Sequence, residues 1–296
     1  MIISASRRTD IPAFYSDWFY KRVQEKYVFV RNPFNYYKVR KIELAFDKID
    51  GIVFWTKNPL PMMERIEEIR AFPFYFLFTL NAYGINVERN LPGQEVRIRT
   101  FIRLSELIGR HRVIWRYDPI LITEEYDFNF HLNHFSEIAR QLSGYTEKCI
   151  FSFVQPYPKV IKRIGKSLID WPQERKNQII ALMAREAQKN GIEFVSCAQR
   201  FKEIGIEPSS CIDADLISRI SGKPVTFQKD RNQRKECGCA MAIDIGAYNS
   251  CLHGCIYCYA AFSQTGAQRN LSKHFPESPL LYGNVTPSDE ILLENR

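Results

Sequence analysis

Cys251, Cys255 and Cys258 bring three thiols into the short stretch Cys251-Leu252-His253-Gly254-Cys255-Ile256-Tyr257-Cys258. A cube of four irons and four sulfides (4Fe–4S) is ordinarily held by four protein thiolates. Three thiolates leave one iron open, and an open metal position separates a reactive site from a closed structural one. Gly254 suits such a loop, because a residue without Cβ lets the backbone turn sharply beside a bulky cluster. The competing reading is a zinc knuckle. It needs a fourth ligand, and only His253 is local.

Four more cysteines precede the triad: Cys197, Cys211 and the pair Cys237-Gly238-Cys239. Four is the number that closes a second 4Fe–4S cluster, with structural zinc and independent buried thiols as alternatives. The eighth, Cys149, lies in an apolar run and reads as a core thiol.

Composition narrows the class. The 296 residues are 45% hydrophobic and 25% charged, which is ordinary for a soluble globular chain able to bury a full core. No apolar run approaches the roughly 18 residues of a membrane span. The start, Met1-Ile2-Ile3-Ser4-Ala5-Ser6-Arg7-Arg8, is apolar and then basic, the reverse of a secretory signal. A cytoplasmic location is expected, where thiols ligate metals rather than form disulfides. The net charge is +8, from 41 basic and 33 acidic residues, with clusters at Lys38–Lys41, Lys159–Lys166 and Arg231–Lys235. That is compatible with a nucleic-acid partner. None of the clusters interleaves aromatics along the chain, so solvated surface charge is the better explanation of them.

The elements that must position these groups alternate. Strands are expected at Ile2–Ser6, Gly51–Trp55, Phe74–Leu80, Arg112–Arg116, Cys149–Val154 and Ile192–Cys197, nearly continuous in apolar character as for strands buried on both faces. Helices are expected at Ser16–Glu25, Pro61–Ala71, Glu95–Gly109, Leu132–Leu142 and Pro172–Asn190. The last opens on Asp170-Trp171-Pro172, read as a capping acid and a first-turn proline, and stops at Asn190-Gly191. Repeated β-then-α units require a parallel sheet. The fold class is therefore α/β, a partial or full (β/α) barrel of about six parallel strands over residues 1–200, with an open doubly wound sheet as the rival. Residues 201–296 read as a cysteine-rich, cluster-binding region packed on the barrel mouth. Tyr27–Asp47 reads as an inserted hairpin.

Polar residues break the apolar runs at the strand ends: Arg8 and Asp10, Lys57 and Asn58, Asn81, Arg116 and Asp118, Ser152 and Gln155, Ser196 and Cys197. In barrels of this kind the active site lies at the C-terminal ends of the strands, so this rim is the expected site.

The triad, Arg116-Tyr117-Asp118-Pro119, Phe54-Trp55-Thr56-Lys57-Asn58-Pro59 and Asp244-Ile245-Gly246 together carry a resemblance. Over nearly its full length the chain is similar to a bacterial family known as domain of unknown function 1848. Through the triad and the strand end it resembles the radical S-adenosylmethionine (SAM) superfamily and, more distantly, its spore photoproduct lyase branch. The resemblance implies that the free iron holds the amino and carboxylate groups of SAM, and that a reduced cluster cleaves SAM to a 5'-deoxyadenosyl radical that abstracts hydrogen from a substrate. It also implies a reducing partner such as flavodoxin or ferredoxin. On this reading Arg116, Lys57 and Arg8 are candidates to pair the SAM carboxylate. Asp118, Asn58, Gln155 and Asp10 would serve the ribose or the substrate, and Tyr257 would lie beside the adenine. Two features depart from the superfamily pattern. The triad lies near the C-terminus rather than after the first strand, as a circular permutation would place it, and no Gly-Gly pair occurs anywhere. A permutation makes Ala242–Gly246 the strand that feeds the cluster loop beside Ile2–Ser6. The alternatives are a non-catalytic Fe–S or zinc protein that binds nucleic acid, and a barrel hydrolase using Asp10 and Asp118.

Overall fold

The computed structural model describes residues 1–293. In chain order its elements are β1 (Ile2–Ala5), α1 (Ile11–Phe14), α2 (Ser16–Glu25), β2 (Tyr27–Arg31), β3 (Lys38–Glu43), β4 (Gly51–Thr56), α3 (Leu60–Met63), β5 (Phe74–Thr79) and α4 (Gln94–Ile108). There follow β6 (Val113–Ile120), α5 (Phe128–Gln141), β7 (Lys148–Phe153), α6 (Pro158–Ile164), α7 (Gln173–Lys189), β8 (Glu193–Cys197) and β9 (Pro208–Ser209). The chain continues through α8 (Ala214–Ser221), β10 (Ile243–Asp244), α9 (Gln264–Leu271) and β11 (Glu290–Leu293).

Eight strands form one sheet in the order β10-β1-β4-β5-β6-β7-β8-β9, and every ladder in it is parallel. The six expected strands are all present, and β9 and β10 add a short strand at each edge. Among the described residues no ladder joins those two edges, so the sheet is a curled, open half-barrel. The strand expected at Ala242–Gly246 is β10, which pairs with β1 through Ile3 opposite Ile243 and Ser4 opposite Asp244. The hairpin expected within Tyr27–Asp47 is the antiparallel β2–β3 pair, which β11 extends into a second, three-stranded sheet. The cysteine-rich region expected over 201–296 therefore contributes β9 and β10 to the main sheet; its last three residues lie outside the described ones.

Side chains alternate along each strand, so residues two apart share a face. On the convex face Ile3, Ile52, Phe54, Phe74, Phe76, Trp115 and Phe151 join the large core beneath the helices. Each such side chain contributes about 1.5–3 kcal/mol by burial. On the concave face Ile2, Val53, Tyr75, Leu77, Ile114 and Ile150 pack against Ile212 and Ile217, at and just before α8. One step further along the same strands the concave face becomes polar: Trp55 and Lys57, Thr79 and Asn81, Arg116 and Asp118, Ser152. The apolar half closes the floor of the half-barrel, and the polar half is left to form a site.

Three local expectations need correction. Residues 61–71 do not form one helix but the short α3 and a separate 3-10 turn, Ile66–Ile69. α5 begins at Phe128 rather than Leu132, because the Asp127 carboxylate accepts from the Phe130 N–H and caps it. Asp170 does not cap α7. Pro172 occupies the cap position, which leaves Asp170 too far upstream, and its carboxylate pairs with Lys176 Nζ at 2.5 Å instead.

Candidate functional site

The polar strand ends and seven of the eight cysteines line one cavity of about 430 Å³. Its walls include Arg7, Arg8 and Asp10 after β1, Trp55 and Lys57 from β4, and Arg116 and Asp118 on β6. Ser152 and Gln155 come from β7 and its loop, and Cys197 closes β8. Cys211, Cys237 and Cys239 line the same space, as do Cys251, Cys255 and Cys258. Curling of the sheet brings its two edges together: β10 leads into the triad, and β8 and β9 lead to Cys197 and Cys211. Of the sequence candidates, Asn58, Asn81, Ser196 and Gly254 are not among the lining residues. The Asn58 N–H is turned back onto Thr56 Oγ1 at 3.0 Å.

Backbone pairing seats the triad loop. Its Ile256 N–H donates to Val87 O at 3.0 Å, and the Asn90 N–H donates to His253 O at 3.0 Å. Arg163 reaches the loop from α6 and donates to the carbonyls of Cys255, Cys258 and Ala261. Gly254 takes a φ of +69°, and a Cβ there would stand 3.1 Å from Gln264 Oε1. The positive φ favours glycine, and any Cβ would make Gln264 shift.

Beneath the loop lies a buried charge network. Glu88 accepts from Lys57 Nζ at 2.7 Å and from Arg97 Nη1 at 3.1 Å, and its carboxylate also receives the Tyr257 hydroxyl. Asn81 Nδ2 donates to Glu88 at 3.3 Å. Burial pushes the Glu88 carboxyl up, but Lys57 and Arg97 outweigh it and hold it below its ordinary value. Lys57 and Tyr257 thus both face Glu88, with Lys57 Nζ 2.7 Å from the tyrosine hydroxyl. The Asp10 carboxylate has three partners: it caps α1 through the Ala13 N–H at 3.0 Å, accepts from the Lys57 N–H at 2.7 Å, and takes the His253 Nε2–H at 2.7 Å. That leaves His253 Nδ1 buried without a partner.

Across the cavity Arg116 pairs with Asp118, whose other oxygen accepts from Ser152. The Arg7 and Arg116 guanidiniums both lie over the Trp55 ring, at 5.5 and 4.7 Å. Arg8 is held near Asp244 and over Tyr248. Aromatic–cation contacts absent from any one stretch of sequence are assembled here in space: Tyr157 meets Tyr259 at 5.9 Å, Tyr248 stacks on Phe262, and Lys159 sits over Phe262 at 3.3 Å.

Five of the eight residues with a buried, unpartnered polar side-chain atom among the described residues line this cavity: Arg7, Thr9, Trp55, Arg116 and His253. Buried polar groups are normally satisfied, so this concentration marks a surface built for a polar occupant. Burial pushes the Cys255 thiol up to about 12 against the pull of Lys57, and it also raises Cys251. As free thiols they are poor nucleophiles, whereas a coordinated metal deprotonates a thiol outright.

The sequence reading passed over Glu88, Arg97, Arg163, Arg7 and Trp55. Arg7 and Trp55 were legible in principle, since both lie in the polar or inward-facing stretch at a strand end. Glu88 and Arg97 sit in a loop and on a helix with no local signature, and Arg163 showed only as one charge of the Lys159–Lys166 cluster.

No curated protein matches the chain. The cavity and the triad both fall within residues 2–260, the span matched by the model of the family described as Domain of unknown function (DUF1848), and the chain belongs to that family.

Proposed function

We propose that this protein is a radical SAM enzyme. The observation that carries the reading is the triad's position: three thiols from one tight loop border a cavity whose other walls hold unpartnered buried donors. The cavity volume, about 430 Å³, is within the roughly 300–1,000 Å³ of small-molecule sites. The donor set fits a 4Fe–4S cluster with one open iron, since Cys251, Cys255 and Cys258 supply three thiolates and no fourth cysteine lies in the loop. When bound and reduced, such a cluster supplies reductive cleavage of SAM and hence hydrogen abstraction from a substrate.

The chain's own residues would bind, orient and exclude water. Arg116 offers a buried guanidinium with Nε unpartnered, and Arg7 offers a free Nη2, both suited to a carboxylate. Asp118 and Gln155 can hold hydroxyls. Lys57, Glu88 and Tyr257 stiffen the floor under the triad loop. Asp10 and His253 tie that loop to the ends of β1 and β4. Tyr157 and Tyr259 on the cavity wall suit stacking on a base, and Lys159 over Phe262 offers a cation for a phosphate, so nucleic acid is the substrate class we favour. Free thiols and an oxygen-sensitive cluster fit a reducing, cytoplasmic setting with a small electron-donating partner. Among the described residues no helix is long and apolar enough to cross a membrane.

The experiment is anaerobic reconstitution with iron and sulfide, reduction, addition of SAM and measurement of 5'-deoxyadenosine, with and without a single-stranded oligonucleotide. The native protein should form it, more rapidly with the oligonucleotide, and Cys255→Ala should fall to the protein-free background. A folded, iron-loaded native protein that forms none would sink the reading.

A further inference from the structure

We propose that Cys197 and Cys211 form a redox-active dithiol, a site of reversible thiol–disulfide exchange with small disulfides that enter the cavity. The two come from adjoining segments of the sheet edge. Cys197 ends β8, where it pairs with Ser209 of β9, and Cys211 follows two residues later. Both are free thiols, and the Cys211 S–H donates to Cys197 Sγ at 3.6 Å. A disulfide bond is about 2.05 Å long, so closing one here requires about 1.5 Å of sulfur movement.

The main chain sets this contact from both sides. The Cys211 carbonyl accepts from the Tyr75 hydroxyl at 2.6 Å, and that hydroxyl accepts from the Asp213 N–H at 2.9 Å. The next carbonyl, Ile212 O, takes the Ala240 N–H at 3.0 Å. Across from it, Arg234 Nη2 donates to Cys197 O at 3.4 Å and to Cys197 Sγ at 3.6 Å.

The two thiols differ in a way that gives each a role. Exchange begins with attack by a thiolate, so the first sulfur needs a cationic neighbour and access. Cys197 has both: it is half-buried, lines the cavity and has Arg234 at its sulfur. Cys211 is only 2% exposed, but it touches the sulfur that meets the oxidant. Cys197 would attack one sulfur of a small disulfide, forming a mixed disulfide and expelling one thiolate, which takes up the Cys197 proton. Cys211 would then attack Cys197 Sγ and expel the second thiolate, which takes up the Cys211 proton. The pair loses two electrons, and the small disulfide is reduced to two thiols. Excess reducing thiol runs the sequence backwards. A reactive cysteine poised beside a resolving one is the arrangement of thiol redox sensors. A four-iron cluster would hold each thiolate on a separate iron, out of contact with the next. The contact therefore favours a dithiol over the second cluster that four cysteines suggest by count.

The test uses the full chain, reduced, freed of reductant and incubated without oxygen with glutathione disulfide. Free thiols are then alkylated and the digest is mapped by mass spectrometry. A peptide linking Cys197 to Cys211 should appear, and dithiothreitol should remove it. Cys211→Ser should stop with glutathione on Cys197, whereas Cys197→Ser should leave Cys211 without glutathione. Circular dichroism establishes that both variants are folded; if they are not, the map of the native chain decides alone. A native chain with no such link, or with Cys211 joined to Cys239 instead, would overturn the proposal. So would one zinc ion per chain that both serine variants lose. The map requires neither iron nor SAM, so it stands or fails separately from the radical SAM reading.

Discussion

The two edges of the parallel sheet present their thiols in different ways. At the β10 edge one loop carries all three, and the surroundings work to hold that loop still: backbone pairing to residues 87–90, Arg163 on its carbonyls, and the Glu88 network below. At the β8–β9 edge three segments each bring one or two thiols, and the Cys197 and Cys211 sulfurs lie 3.6 Å apart. A loop of contiguous ligands can be positioned as a unit by a few anchors outside it. A scattered set depends on the whole fold for its geometry. The first edge should therefore be sensitive at its anchors, and the second at the packing between its segments.

Breaking the Glu88 anchor should have the largest effect. Glu88→Ala leaves Lys57 and Arg97 buried without their carboxylate, which costs about 3–5 kcal/mol. A melting temperature unchanged from native would show that the triad edge does not rest on this network. The sign of the pH dependence follows from the depressed carboxyl. Its contribution is fully present above the unfolded-state value of about 4.3 and is lost as pH falls through the lower folded-state value. Acid melts should accordingly show a steeper loss for the native chain than for the variant.

Gly254→Ala comes next. A left-handed backbone costs a residue with a Cβ about 1–2 kcal/mol, and Gln264 must also give way. Triad iron and thermal stability should both fall.

Gly238→Ala should do least. Its Cβ would meet Ser210 Oγ at 2.7 Å, the end of a side chain that can swing aside after losing one hydrogen bond to Gly238 O, a loss of about 1 kcal/mol. Triad iron should hold. A larger loss of stability here than for Gly254→Ala would invert the contrast between the edges.

What was legible in the sequence follows this division. The strands were legible because apolar runs bounded by polar ends report burial directly, and the triad because its ligands are consecutive. β10 was expected through the resemblance, whose implied permutation places the strand before the triad beside β1. The four upstream cysteines could be counted but not placed. The Glu88 network could not be read at all: Lys57 and Glu88 are 31 residues apart, and Glu88 and Arg97 face each other from a loop and a helix. Asp170 misled because an acid near a proline is a sound local signal, while the helix starts after Pro172 and the carboxylate pairs with Lys176 instead.

By itself, then, the sequence determined the α/β alternation, the inward and outward faces of each strand, and the three-thiol loop, all of which depend on neighbours a few residues away. Only the tertiary structure decided that both sheet edges meet at one cavity, which buried charges pair beneath it, and where stacking aromatics gather. Those outcomes depend on the curl of eight strands, a property of the assembled sheet that no single stretch of chain encodes.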